Sequence, residues 1–355
     1  MPRAIINGPL RYSARSLASL LLLAAKVALR RPFAGPLAPG WSVIFEIGNL
    51  FIRQQFNYAF TLSNIRESRK YFDSLVISPD GNHAVEYRAT PADAPKGDWI
   101  TPRELKSDAT LLYLHGGGYA FYTAVTHRFA GMLAARLGAR LFALDYRLTP
   151  EHPYPAQQQD AIAAYRYLLV QGVDPKRLVV IGDSAGGHLT LMTLVALRDA
   201  GLPQPALAIG VSPCTDIGDR GESLRANDRY DLLQSSRVLR FNEWLIGSTG
   251  YSREQVSPIF QNYAGLAPIY LQGGGREVLI DMIRDFARVT VDQGCEVMLD
   301  VWSEMTHEFH AYGLTLPESA EAIARIQAAI AHYAGGDESA FDACARTENH
   351  HRRRQ

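Results

Sequence analysis

An α/β fold, with a mostly parallel central sheet flanked by helices and covered by a helical cap, is predicted for this chain by three observations. Short apolar, β-branched runs alternate with helical periodicities between residues 110 and 333. Glycines such as Gly138 and Gly172 close helical stretches where the chain passes to the next strand. A polar, aromatic-dotted insertion at about residues 215–263 interrupts the alternation and has no place in a sheet, so it is assigned to the cap.

The 355 residues are 47% hydrophobic, which suits one large core. Residues 1–70 are read as an N-terminal helical cap segment, 71–335 as the main α/β domain, and the polar stretch 336–355 as a disordered tail. Lys plus Arg and Asp plus Glu number 36 each, so no global field recruits nucleic acid or an acidic partner. Cys214, Cys295 and Cys344 are too few and too widely spaced for a disulfide framework or a zinc site. They read as reduced structural thiols in a cytoplasmic protein.

In the first segment, Val43, Ile44, Ile47, Leu50, Phe51, Phe56 and Phe60 recur at roughly helical spacing. Ahead of them, Leu17 and Leu20 to Leu23 lie between Arg11, Arg15, Arg30 and Arg31. Lys26 cuts that run too short to span a bilayer and no cleavage site follows, so an amphipathic helix that packs on the protein or grazes a membrane is expected. Strands at 72–78 and 83–88 are expected to form a hairpin through Pro79-Asp80-Gly81-Asn82, followed by a surface loop from Asp93 to Lys106.

From there the predicted order is strand 110–114, helix 127–137, strand 139–146, helix 157–170 and strand 177–181. Strands 206–211 and 268–271, helix 279–293, strand 296–302 and helix 318–333 complete it. Two glycine-rich segments stand out. His115-Gly116-Gly117-Gly118-Tyr119 follows one buried strand, and Gly182-Asp183-Ser184-Ala185-Gly186 joins another directly to a helix. A serine on so tight a turn projects its hydroxyl out of the sheet, above a helix N-terminus whose free N–H groups suit a developing negative charge. Glycines near it let backbone amides approach a tetrahedral intermediate, whose charge sits on oxygen.

A serine hydroxyl needs a base, and the base needs a carboxylate to orient it. Of ten histidines, His307 follows the strand ending at Trp302, where sites form in such sheets, with His310 its nearest rival. His115 belongs to the glycine turn and His188 to the helix after Ser184, and both read as structural. Glu277 and Asp281 both qualify as the acid, and either gives the chain order serine, acid, histidine. Glu277 is nearer the strand end and still in loop; Asp281 already lies on the helix, where it can cap or pair with Arg284. These residues together point to ester hydrolysis through an acyl-serine intermediate.

Three segments carry a resemblance to a known family: HGGGY at 115–119, DYRLTPEHPYPA at 145–156 and GDSAGG at 182–187. Over about residues 75–333 the chain resembles the hormone-sensitive lipase family of α/β-hydrolases, also called family IV bacterial esterases. The resemblance implies an α/β-hydrolase fold with an N-terminal helical cap. It implies Ser184 as nucleophile, His307 as base, and the amides of Gly117, Gly118 and Ala185 as oxyanion hole. Many members carry aspartate where this chain has Glu277. Asp145, Arg147, Glu151 and Asp160 are read as structural residues.

The expected function is therefore a cofactor-free serine carboxylesterase acting on small to medium acyl esters. Tyr119, Phe121, Tyr122 and cap aromatics such as Trp244 are expected to wall its pocket. Alternatives are hydrolysis of an amide, a lactone or an acetylated sugar by the same residues, or a non-catalytic small-ligand receptor like the plant gibberellin receptors, which lack the histidine. A membrane-bound lipase rests only on residues 17–29. No metal or nucleotide site is implied, since the glycine-rich runs lack the lysine of a phosphate loop. The expected partner is a small-molecule ester, with peripheral membrane contact through residues 15–29 and a homodimer as further options.

Overall fold

The computed structural model describes residues 3–78, 83–337 and 349–351. In chain order the N-terminal part contains β1 (Arg3–Ile6), α1 (Leu10–Ala34), α2 (Val43–Ala59), α3 (Ile65–Phe72) and β2 (Leu75–Ser78). The main sheet begins with β3 (Val85–Ala89), β4 (Gly97–Pro102) and β5 (Thr110–Leu114). Then come α4 (Ala124–Leu137), β6 (Arg140–Leu144), α5 (Ala156–Val170), β7 (Leu178–Asp183), α6 (Ala185–Asp199) and β8 (Leu207–Val211). Three helices fill the insertion: α7 (Ser223–Ala226), α8 (Ser235–Ile246) and α9 (Arg253–Val256). The last elements are β9 (Ile269–Gly274), α10 (Ile280–Asp292), β10 (Val297–Trp302), α11 (Pro317–Gly335) and β11 (Asn349–His351).

The main sheet has nine strands in the order β11-β10-β9-β8-β7-β5-β6-β4-β3. All neighbours from β6 to β11 run parallel, while β4 pairs antiparallel with both β3 and β6. β5 is buried at every residue, as a central strand covered on both faces must be. Helices α4 and α11 pack together against one face, whereas α5, α6 and α10 cover the other. From β5 the chain steps to one side to form β6 and then returns to the other side to form β7. The loops leaving β5 and β7 therefore meet at a topological switch point, where such sheets hold ligands.

Local chemistry explains several boundaries. Helix α2 starts where the Ser42 hydroxyl accepts from the Phe45 amide, and α4 stops at Gly138 in the left-handed conformation (φ 63°). Helix α9 begins with a reciprocal capping box between Ser252 and Gln255.

Three expectations are corrected. The strands on either side of 79–82 do not pair with each other: β2 pairs antiparallel with β1 in a separate two-stranded sheet, and β3 pairs with β4. A distant edge, Arg3–Ile6, competes successfully for β2, and local turn chemistry carries no information about it. The stretch expected as a surface loop, 93–106, contains β4, whose flanking Pro, Gly and charge masked a strand in which Ile100 is fully buried. In the tail expected to be disordered, Asn349–His351 pairs with β10; its neighbours 338–348 and 352–355 lie outside the described residues, as do 79–82.

Candidate active site

Ser184 stands between β7 and α6 with φ 54° and ψ −117°, a backbone conformation that L residues rarely adopt. The turn closes this tightly because Gly186 follows: a Cβ there would lie 1.9 Å from the Leu114 carbonyl oxygen of β5. The Ser184 amide donates to the Val211 carbonyl, which fixes the turn over the end of β8. Its side chain is 8% exposed and opens into a cleft whose other walls include Gly118, Tyr119, Ala185 and, from the cap, Val238, Phe241 and Leu245.

His307 reaches the same point from the loop after β10. Its Nε2 lies 2.9 Å from Ser184 Oγ, so the hydroxyl proton has an acceptor within hydrogen-bond reach. Glu277, fully buried on the loop after β9, faces the opposite edge of the ring, with Oε2 3.7 Å from His307 Nδ1. That spacing is an ion-pair distance rather than a hydrogen bond, and among the described residues neither Nδ1 nor Glu277 Oε1 has a hydrogen-bond partner. The carboxylate is nonetheless fixed, since Oε2 accepts from the Ser212 hydroxyl at 2.6 Å and from the Gly274 amide at 3.3 Å.

Asp281 lies elsewhere. Its Oδ2 accepts from the Ser223 amide at 2.8 Å and Arg284 stands 3.9 Å away, so it ties α10 to the insertion. His310, the rival base, places Nε2 2.9 Å from Gln272 Oε1, and burial pushes its pKa down to about 3. Burial likewise lowers His115 to about 3 and His188 to about 4. His115 stacks on Tyr146 with ring centroids 3.9 Å apart, and His188 bridges the Tyr119 hydroxyl and the Val256 carbonyl.

Gly117 (φ 101°) and Gly118 (φ 61°) hold left-handed conformations that a side chain would strain. At Gly118 a Cβ would also lie 2.4 Å from the Phe241 ring, so α8 of the cap presses directly on this loop. Among the described residues, the amides of Gly117 and Gly118 donate to no protein acceptor. Beside the serine, the Ala185 amide begins α6, where helical N–H groups are left unpaired.

Of the expected pocket aromatics only Tyr119 lines this cleft. Phe121 instead packs against Phe72 and Phe56 beneath the cap, and Tyr122 stacks on His115 at 4.4 Å. Trp244 stacks on Phe60. The reason is the bend in the glycine loop: Phe121 donates its amide back to the Gly117 carbonyl, which turns the following side chains away from the serine. Leu233, Val238, Phe241 and Leu245 from the insertion provide the apolar lining instead.

Three acidic groups close to this site were not among the predicted site residues, although Asp183 lies inside the serine motif itself. Asp231, fully buried, accepts from the His307 amide through Oδ1 and from the Val278 amide through Oδ2, at 3.1 and 2.7 Å. Burial and the charge of Glu277 raise its pKa to about 7. Glu308, at φ 51°, places Oε1 3.7 Å from His307 Nε2. Asp183 accepts from the Tyr113 hydroxyl at 2.5 Å and from the Gly116 amide at 3.0 Å. A Cβ at Gly116 would lie 2.2 Å from Asp183 Oδ2 and 2.8 Å from Glu308 Oε1, so the two carboxyls converge on one spot. Burial first, and then the facing Glu308 charge, hold Asp183 well above the usual carboxylate range. Burial alone would lower His307, but Glu277, Glu308 and Asp231 outweigh it and raise the imidazole to about 9.

The strand order, the strained serine turn and the loops converging above it define an α/β-hydrolase. A sequence profile described as alpha/beta hydrolase fold matches residues 111–311. An acetyl-hydrolase of Streptomyces hygroscopicus is 40% identical over 64% of this chain and 76% of its own length. An esterase of Acinetobacter venetianus is 31% identical over 73% and 86%. Among solved structures, an esterase of the bacterial hormone-sensitive lipase family superposes with a TM-score of 0.69 at 29% identity, covering 90% of this chain and 99% of that one. A hormone-sensitive lipase from a metagenome library gives 0.71 at 28%, covering 80% and 97%. The chain belongs to the hormone-sensitive lipase family of α/β-hydrolases and is a carboxylic ester hydrolase.

Proposed function

We propose that this enzyme is a serine carboxylesterase for small to medium acyl esters, working through Ser184, His307 and Glu277 and an acyl-enzyme intermediate. The observation that carries this reading is the 2.9 Å approach of His307 Nε2 to the hydroxyl of a serine held on a strained turn. In the first half-reaction Ser184 Oγ bonds to the ester carbonyl carbon while His307 takes its proton, and the carbonyl electrons move to oxygen. The amides of Gly117, Gly118 and Ala185 receive that charge. Collapse expels the alcohol, which leaves with the proton from His307. Water then repeats the sequence on the acyl-serine and releases the acid. Glu277 holds the ring orientation and offsets the imidazolium charge.

The narrow cleft next to Ser184, walled by leucine, valine and phenylalanine, suits a short acyl chain. Across a series of p-nitrophenyl esters, turnover is expected to peak at short to medium chains. A rate that kept rising to the longest chains, or no turnover on any ester, would count against the reading.

The base must be neutral, so activity falls as pH drops below the pKa of His307, about 9. Glu308 contributes negative charge 3.7 Å from Nε2, which favours the imidazolium. Its replacement in Glu308→Gln removes that charge and lowers the pKa. The acidic limb of the kcat/KM profile should move down by about one pH unit, leaving more activity near neutrality. A limb that stays in place, or moves up, contradicts this role.

A further inference from the structure

We infer that α1 is a docking face for an anionic lipid bilayer, with the enzyme body held above the membrane surface. The helix is amphipathic in reverse. Towards the protein it turns Tyr12, Ser13, Ser16 and Val27. Ser13 Oγ donates to the Ser74 carbonyl at 3.1 Å, and Ser16 Oγ lies 3.1 Å from Ser74 Oγ while accepting from Gln55 Nε2 at 2.9 Å. Towards solvent it turns leucine: Leu10, Leu17, Leu21, Leu22 and Leu29, with Phe33 beyond them 92% exposed. A globular helix ordinarily does the opposite, and an exposed apolar stripe of this length marks an interaction surface.

Charge selects the occupant. Between Leu10 and Ala34 there is no acidic residue, whereas Lys26 borders the stripe together with Arg11, which touches Glu67 at 3.4 Å yet stays 72% exposed, and Arg15, which lies over the Tyr58 ring. Arg30 pairs with the buried Glu46 and Arg31 donates to the Trp41 carbonyl, which pins the C-terminal end of the helix to the fold. A second copy laid on the same face would bring two cation-rimmed surfaces together, with Glu67, already shared between Arg11 and Lys70, the acid beside them. Lipid tails under anionic headgroups match both the leucines and the cations. By length and composition α1 is long and apolar enough to cross a membrane, but its serine face is bonded to Ser74, just ahead of β2, and to Gln55 of α2, which orients it along the body and in the membrane plane. Helix α2, packed on α1, also holds the site: Asn49 donates to the Tyr230 carbonyl and accepts from the Thr306 hydroxyl, next to Asp231 and His307.

The test is flotation of the full chain with vesicles of phosphatidylcholine alone or mixed with phosphatidylglycerol, alongside its solution mass. Wild type is expected to float with the anionic vesicles and less with the neutral ones. Leu21→Gln/Leu29→Gln should weaken partitioning by about a hundredfold or more. The same variant should hydrolyse p-nitrophenyl butyrate at the wild-type rate, which shows that the fold is intact and separates this result from the catalytic reading. Wild type left at the bottom of the gradient with anionic vesicles overturns the inference. So does a wild-type dimer that the leucine variant converts to monomer without either protein floating, since the stripe is then a subunit interface.

Discussion

Ser184→Ala is expected to lower kcat/KM on p-nitrophenyl butyrate by roughly ten thousandfold to a millionfold while the protein stays folded. The size follows from the absence of any substitute. Ser212, just after β8, is engaged with Glu277 at 2.6 Å and is not free to take over the attack. Alanine also removes no buried contact on which the core depends, because the turn is fixed by the Ser184 main chain, through Val211 and Cys214. Circular dichroism should therefore match wild type. Residual rates within tenfold of wild type would mean that another group performs the attack, and the proposed chemistry would fall.

Glu277→Gln is the second large effect, with a loss of about a thousandfold to ten thousandfold expected. Glutamine keeps the shape but presents a neutral amide to the ring, so it neither offsets the imidazolium nor selects the reactive tautomer. Asp281→Asn should leave the rate nearly unchanged, because its carboxylate holds the Ser223 amide and not the histidine. Both variants are to be assayed for kcat and KM separately. The effect at Glu277 should fall on kcat. A reversed pattern, with the large loss at Asp281, would reassign the acid.

Much of this was legible because the decisive signals are local. The run 178–181 is apolar and β-branched, the glycines around Ser184 allow a close turn, and a histidine sits just past a strand end; each is visible within ten residues. The chain order of serine, acid and histidine then needed only the expectation of parallel strands. What escaped was non-local. β2 chose Arg3–Ile6 as its partner across about seventy residues, and β4 hid among turn-forming neighbours. Asp231, in an insertion without a regular pattern, became a buried ligand of two loops only through the folding of α8 nearby. Glu308 directly follows the histidine in sequence, and its link to Asp183 depends on a left-handed backbone that sequence does not announce. Tyr119 lines the cleft as expected, whereas Phe121 and Tyr122 turn away because the bend of the glycine loop, not its composition, decides where the next side chains point.

The two amide bonds accepted by Asp231 make the histidine loop and the acid loop a single clamp whose pin comes from the cap insertion. The sheet can stay whole while that pin slips. Mild denaturant, acting first on the least deeply packed layer, releases base and acid in one event. Inactivation should then precede loss of the helical signal, with both losses reversing together on dilution. Simultaneous midpoints for the two signals would mean that clamp and sheet unfold as one body. On that expectation the durability of catalysis depends on the insertion that carries Asp231 as much as on the sheet that carries the serine.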